Sequence, residues 1–314
     1  MQEEKVVVVG CGHMGCDIAA IFLNAGWRVE AVESSEEGRA AAPGRMQASV
    51  KALRGNWDHG LLSVKAAVFD VDWRGARLVI ETVSENLAIK RKVFQELDEH
   101  VPLDIPIGSN SSGFRITDIA SDCSSAERMA NAHFFLPAHL VPLVELAKGE
   151  RTSRQTLDAL HLAFEDVGRV VVRIQKDLPG FLANRIQHAL MREAFSIIEA
   201  GLATPEDVDK AVRYGFGFRY VAAGPILQKE LSGLDTQLAA ASSIYPSLCN
   251  DPRPPAMLRE LVAEGRSGTK ALQGFWRWTP EQVERERQRF EAILDQAADL
   301  VRQSPAVLPE AVAD

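Results

Sequence analysis

Residues 131–149 read NAHFFLPAHLVPLVELAKG, and this apolar run contains two histidines, His133 and His139, and one acid, Glu145. Polar groups in apolar surroundings need hydrogen-bond partners or a chemical task. Two imidazoles and a carboxylate could ligate a metal if they converged tetrahedrally, which their spacing does not ensure. A histidine whose second nitrogen is held by a carboxylate is a general base suited to neutral pH. A buried strand with ordinary hydrogen bonds would use neither property.

KVVVVGCGHMG supplies a different chemistry. A β-branched run, Val6 to Val9, leads into Gly10, Gly12 and Gly15 in the pattern G-x-G-x-x-G. Ile18, Ala19, Ile21, Phe22 and Ala25 follow at helical spacing, Gly26 ends the helix, and WRVEAVE reads as a second strand. In such a turn the first glycine permits the tight bend and the second lets a pyrophosphate approach the backbone. The third lets helix and strand pack closely, with the phosphates at the helix N-terminus. Glu33 ends the second strand 18 residues after Gly15. An acid there accepts hydrogen bonds from the adenosine ribose of NAD and repels the extra phosphate of NADP. NAD is the expected cofactor, with His13 and Met14 lining its cleft and Cys11 a small packing residue.

The elements that must position these residues follow from hydrophobic patterning. Residues 34–65 read as a helical excursion broken near Pro43-Gly44. AAVFDVDW, LVIETV, IPIGSN, MANAHFF and RVVVRI are short apolar runs separated by helical stretches such as SENLAIKRKVFQELDEHV. Strands alternating with helices predict an α/β Rossmann-type, doubly wound, mostly parallel sheet over residues 1–178. After KDLPGF the strand signals vanish. Thr204, Pro205 and Asp207 mark one helix start, and Thr279, Pro280 and Gln282 another. An all-α domain is expected over 179–314, with the boundary at Pro179-Gly180 and the substrate in the cleft between domains.

Composition narrows the partners. Of 314 residues 46% are hydrophobic and 25% charged, and the formal net charge is -8 with no basic block. No nucleic-acid or membrane partner is expected. Cys11, Cys16, Cys123 and Cys249 form no CxxC pair, so neither a zinc site nor a disulfide framework is predicted. The acidic start MQEEK is unlike a signal peptide, and no apolar stretch reaches the length of a membrane span. These features describe a soluble, cytoplasmic protein.

GCGHMG, IETVSENLAIKRKVFQEL, SNSSGFRITDIA, HFFLPAHLVPLVEL, DLPGFLANRI and GTKALQGFWRW stand in an order that resembles the L-3-hydroxyacyl-CoA dehydrogenase family over nearly the whole chain. The resemblance implies that His133 is the catalytic base and Glu145 its partner. It implies that Ser112 and Asn184 contact the substrate oxygen, with Asn184 supplied by the helical domain. Glu85, Lys90 and Lys270 match cofactor contacts, as does Ser112. His139 has no place in the pattern and reads as a satisfied core residue, and Phe275, Trp276 and Trp278 as core or subunit contact. A homodimer through the helical domain is implied as well.

Three departures bear on the substrate. Leu136 stands where acyl-CoA enzymes carry an asparagine near the cofactor. Residues 38–62, where CoA-binding members have a basic helical hairpin, match poorly despite Arg45, Lys51 and Arg54. YGFGFRYVAAGP resembles the λ-crystallin/L-gulonate, carnitine and pyridine-carboxylate dehydrogenase branches, which use free acids, and Arg219 in it could clamp a carboxylate, cap a helix or bridge subunits. The expected activity is hydride transfer between NAD and the 3-hydroxy or 3-keto group of an acyl-CoA or a small hydroxy acid. A non-enzymatic, crystallin-like NAD-binding protein is the reading from another class.

Overall fold

The computed structural model describes residues 4–304, and the chain divides into two compact units, Met1–Asn184 and Arg185–Asp314. The first is an eight-stranded sheet in the order β3-β2-β1-β4-β5-β6-β7-β8. Its strands are β1 (Lys5–Val9), β2 (Arg28–Val32), β3 (Leu62–Lys65), β4 (Ala76–Glu81), β5 (Ile107–Ser109), β6 (Met129–Phe134), β7 (Leu143–Ala147) and β8 (Val170–Ile174). All neighbours are parallel except β6 and β7. The helices are α1 (His13–Asn24), α2 (Glu36–Ala52), α3 (Leu87–His100), α4 (Ile116–Ile119), α5 (Arg154–Asp166) and α6 (Ala183–Glu199).

The valine run of β1 shows why the sheet is buried on both sides. Val6 and Val8 join the core beneath α1, α2 and α5, while Val7 and Val9 join the one beneath α3 and α4. Period-two alternation thus feeds two apolar layers, as parallel sheets require. Connections from β1 run one way to β2 and β3 and the other way to β4, so the strand order reverses at the β1/β4 junction. Ligands of open α/β sheets bind at such switch points.

Two local expectations are corrected. Residues 34–65 are not helical throughout: LSVK forms edge strand β3, and Val68–Asp70 of AAVFDVDW is a 3₁₀ turn. The apolar residues there cap the sheet from a turn, a role that hydropathy does not distinguish from a strand. Nor does Pro43 break the helix, since α2 continues through it for 17 residues. Ala42, Met46, Ser49 and Val50 are buried on this helix, which packs on α1. That packing outweighs the one backbone bond a proline removes.

In the second unit the expected helix starts are present. Thr204 caps Pro205–Ala211 by accepting the Asp207 N–H, and Thr279 and Gln282 form a reciprocal capping box on Pro280–Gln303. Further helices lie between them, at Pro225–Ser232, Leu234–Ile244 and Ala256–Ala263.

The turn after β1 is tightly packed. Gly10 has φ +100°, and a Cβ on Gly15 would lie 1.9 Å from the Gly10 carbonyl oxygen and 2.6 Å from Thr82 Oγ1. Gly15→Ala is therefore expected to cost about 1–3 kcal/mol or more through overpacking. It should lower the thermal unfolding midpoint, and an unchanged midpoint would show that α1 can shift away from β1.

Candidate active site

The antiparallel register of β6 and β7 pairs His133 with Glu145 directly across the ladder. Directly opposed residues share one face of a sheet. His133 Nδ1 meets Glu145 Oε2 at 2.9 Å, with the histidine 5% and the glutamate 0% exposed. Binding the carboxylate through Nδ1 leaves Nε2 as the nitrogen that can exchange a proton. Phe135 lies 4.5 Å and Phe181 5.6 Å from the imidazole, centroid to centroid. Phe181 adopts φ +47°, a left-handed conformation unusual for an aromatic residue, and its ring is buried.

Glu145 has a second task. Its Oε1 accepts the backbone N–H groups of Leu182, at 3.1 Å, and Ala183, at 2.6 Å, where α6 begins. The next residue is Asn184, half-buried in the first turn of α6. One buried carboxylate therefore holds the histidine with one oxygen and the chain beside Asn184 with the other. A carboxylate can accept at least four hydrogen bonds, so the tasks do not compete.

Ser112 sits in the loop after β5. Glu85 Oε1 accepts the Ser111 hydroxyl at 2.7 Å, the Gly113 N–H at 2.9 Å and the Ser112 N–H at 3.1 Å, with Ser112 Oγ 3.4 Å away. Lys90, expected among the cofactor contacts, lies beneath this loop and is 1% exposed. Its ammonium is directed at Glu81 Oε1 (2.8 Å), Val83 O (3.2 Å) and Glu85 Oε2 (3.4 Å). Burial pushes the Glu81 carboxyl above its ordinary value, opposed by Lys90, Ser109 and the Val83 N–H. At Glu85 burial also acts upward, but the Ser111 hydroxyl, the Gly113 N–H and Lys90 prevail and hold the carboxyl low.

The glycine loop fits a dinucleotide. Gly12 caps α1 with no side-chain hydrogen bond, and a Cβ placed on it would meet nothing within 4 Å. The helix N-terminus is thus open to an anion. Beside it lies a cavity of 640 Å³ whose lining includes Gly10, Gly12, Glu33, Thr82, Val83 and Ile89. Glu33 accepts the Cys11 N–H at 2.9 Å and the Ser35 N–H at 3.0 Å, which fixes its carboxylate at the end of β2. His13 is exposed and Met14 packs partly against the core. Burial pushes the Cys11 thiol up to about 12 and the Cys16 thiol up to about 11, so neither is a thiolate at neutral pH.

His139 belongs elsewhere. Its Nδ1 lies 3.0 Å from Asp17 Oδ2 without hydrogen-bond geometry, and Asp17 also accepts from the Ser49 hydroxyl and the Ala138 N–H. Sequence reasoning missed Asp17 and Glu81. An acid inside LVIE or after HMGC is the signal that could have found them.

A family model for the 3-hydroxyacyl-CoA dehydrogenase NAD binding domain matches residues 5–178, and one for the C-terminal domain of the same enzymes matches residues 180–278. The chain belongs to the 3-hydroxyacyl-CoA dehydrogenase family. The 5-formyl-3-hydroxy-2-methylpyridine 4-carboxylate 5-dehydrogenase of Mesorhizobium japonicum is 31% identical, covering 89% of this chain and 92% of that protein. L-carnitine dehydrogenase of Oceanobacillus iheyensis is 32% identical over 73% of this chain and 76% of its own. Probable 3-hydroxybutyryl-CoA dehydrogenase of Bacillus subtilis is 30% identical over 88% and 98%. Among solved structures, 5-formyl-3-hydroxy-2-methylpyridine 4-carboxylic acid 5-dehydrogenase, described as an NAD+ dependent dismutase, superposes with a TM-score of 0.90 at 28% identity, over 96% of this chain and 99% of that one. (S)-3-hydroxybutyryl-CoA dehydrogenase from Ralstonia eutropha gives 0.72 at 30% identity, over 88% and 99%. The protein is accordingly an NAD-dependent oxidoreductase acting on a CH–OH group.

Leu136 is 68% exposed just after the His133 strand. Over residues 36–61, α2 is a single helix followed by a turn at His59–Leu61. Lys270, on the short turn Thr269–Ala271, and Arg219, ending Gly217–Arg219, are exposed residues of the second unit.

Glu85 gives the site an acid limit. Its folded-state pKa is depressed, so its contribution is present above the ordinary glutamate value of 4.5 and is lost as pH falls through the lower folded value. Amide hydrogen exchange of residues 111–113 is expected to rise over that acid range, and Glu85→Gln should remove this pH dependence. Protection that persists at the same level through the acid range would contradict this control.

Proposed function

We propose that the protein oxidises the hydroxyl of a small free hydroxy carboxylate, with His133 as general base. Bound NAD supplies the hydride acceptor. As the carbinol C–H leaves as hydride, the O–H proton passes to His133 Nε2, giving a carbonyl product and an imidazolium. Glu145 keeps the imidazole in the required tautomer and balances its positive charge. Ser112 and Asn184 donate hydrogen bonds to the substrate oxygen as its charge changes. Gly10, Gly12 and Gly15 with the open end of α1 hold the pyrophosphate, and Glu33 holds the adenosine ribose.

The free-acid reading rests on α2. A helix laid along α1 presents no arm for a CoA nucleotide, and the TM-score of 0.90 to a pyridine-carboxylate enzyme supports the same choice. The exposed Arg219 guanidinium suits bidentate pairing with a carboxylate. The test offers purified enzyme and NAD 3-hydroxybutyryl-CoA, 3-hydroxybutyrate, L-gulonate, L-carnitine and a hydroxymethylpyridine carboxylate in parallel. Turnover of a free acid without the thioester is expected, and His133→Ala should lower kcat by about 10²–10⁴-fold while NADH binding persists. Turnover of the thioester alone would refute the free-acid reading. Activity undiminished in His133→Ala would refute the base.

We further propose a homodimer through the helical unit, working in the cytoplasm. Among the described residues of that unit only Ala194, Leu261 and Ala298 are buried hydrophobics, while Phe218, Ile226, Leu231 and Leu238 are each more than two-thirds exposed. So much apolar surface suits an interface with a second copy. Buried free thiols suit a reducing compartment. Light scattering should give twice the chain mass, and a monomer at micromolar concentration would overturn the assignment.

A further inference from the structure

Glu81 ends β4 fully buried, and nothing in the hydride-transfer scheme uses it. An ionisable group is kept in such a place only when it is well paired. Its Oε1 accepts the Lys90 ammonium at 2.8 Å and the Val83 N–H at 2.7 Å, and its Oε2 accepts the Ser109 hydroxyl at 2.7 Å. Ser109 is also its register partner on β5, one strand over, and the Glu81 carbonyl accepts the Asn110 N–H. The carboxylate therefore joins the ends of two adjacent strands to α3.

Lys90 transmits this arrangement. An ammonium has three donors, and three acceptors surround this one: Glu81 Oε1, Val83 O and Glu85 Oε2. Unlike Glu81, the Glu85 side chain is 41% exposed and would otherwise be free to turn into water. Held by Lys90 through one oxygen, it binds Ser111, Ser112 and Gly113 through the other. A continuous path of ion pairs and hydrogen bonds thus runs Glu81–Lys90–Glu85–Ser112.

We propose that Glu81 is a positioning residue for the oxygen-binding loop, acting through Lys90 and Glu85 to fix the N–H and hydroxyl of Ser112. This rests on the reading of Ser112 as an oxygen contact. Lys90, on the same grounds, serves the loop from beneath and leaves cofactor contact to groups that face the cleft. A purely structural ion pair would be replaceable by neutral groups of similar size at no cost to turnover. A positioning pair would not.

The test compares wild type with the double variant Glu81→Gln, Lys90→Met, which removes both charges together and leaves neither buried alone. Ser109→Ala is the milder second variant, taking one donor from Glu81 without unpairing a charge. The readouts are thermal midpoint, NADH affinity by fluorescence, kcat and KM on the best alcohol, and amide exchange at residues 111–113. In the folded double variant kcat is expected to fall at least tenfold, with NADH affinity within a few-fold of wild type and exchange at Ser112 and Gly113 accelerated. Ser109→Ala should move the same quantities by less. Unchanged exchange in a folded variant, or accelerated exchange with unchanged kcat, would overturn the proposal. If the double variant does not fold, Ser109→Ala decides by the same two readouts. If wild type oxidises none of the alcohols, the substrate reading has failed, while exchange at Ser112 still decides whether Glu81 holds the loop.

Discussion

The site depends on one register: β6 and β7 run antiparallel so that His133 faces Glu145 across the ladder. A slip of one residue would send the two side chains to opposite faces of the sheet. The glutamate is fully buried, so its charge must be met entirely by neighbours. It is met by the imidazole on one oxygen and two backbone N–H groups on the other. Loss of either set would leave a buried carboxylate short of partners, at a cost of about 1–3 kcal/mol or more. The orientation of the His133 imidazole and the start of α6 are thus stabilised by the two oxygens of one carboxylate.

A second buried carboxylate repeats the principle at the end of β4. Glu145 holds His133, while Glu81 is linked through Lys90 and Glu85 to the loop that carries Ser112. Both lie on strands whose backbone is held by ladders on two sides. Loops alone would leave the oxygen contact and the base free to drift independently, and small misplacements of reacting groups are costly in rate. Rooting both in adjacent strands of one sheet couples their positions.

Much of this was legible in the sequence because it depends on local rules. The glycine turn, the valine run and the caps at Thr204 and Thr279 each follow from residue types a few positions apart, and the structure has them where the spacing predicts. Non-local facts were less accessible. Edge strand β3 is four residues of weak pattern, and its identity comes from pairing with β2. Pro43 reads as a break, yet α2 is held together by its packing on α1. The spacing of His133 and Glu145 allowed a metal, a dyad or a plain strand, and only the register of β6 on β7 brings them together. Lys90 illustrates the limit of a motif match: its position was recognised, but its burial beneath Glu85 was not visible in SENLAIK.

The substrate question turns on what the conserved chemistry leaves unspecified. Hydride transfer needs a base, oxygen contacts and a cofactor cradle, and none of these distinguishes a thioester from a free acid. Discrimination must come from groups that touch the remainder of the substrate. In the first unit, α2 packs one face on α1 through Ala42, Met46 and Val50, while Arg45 and Lys51 stay exposed. Near the base, Phe135, Phe181 and the exposed Leu136 form apolar surroundings in which an aliphatic or aromatic carbon skeleton is better accommodated than a further polar chain. Relatives of comparable identity are named both as a pyridine-carboxylate and as a 3-hydroxybutyryl-CoA dehydrogenase, so the shared reaction leaves the remainder of the substrate to such side chains.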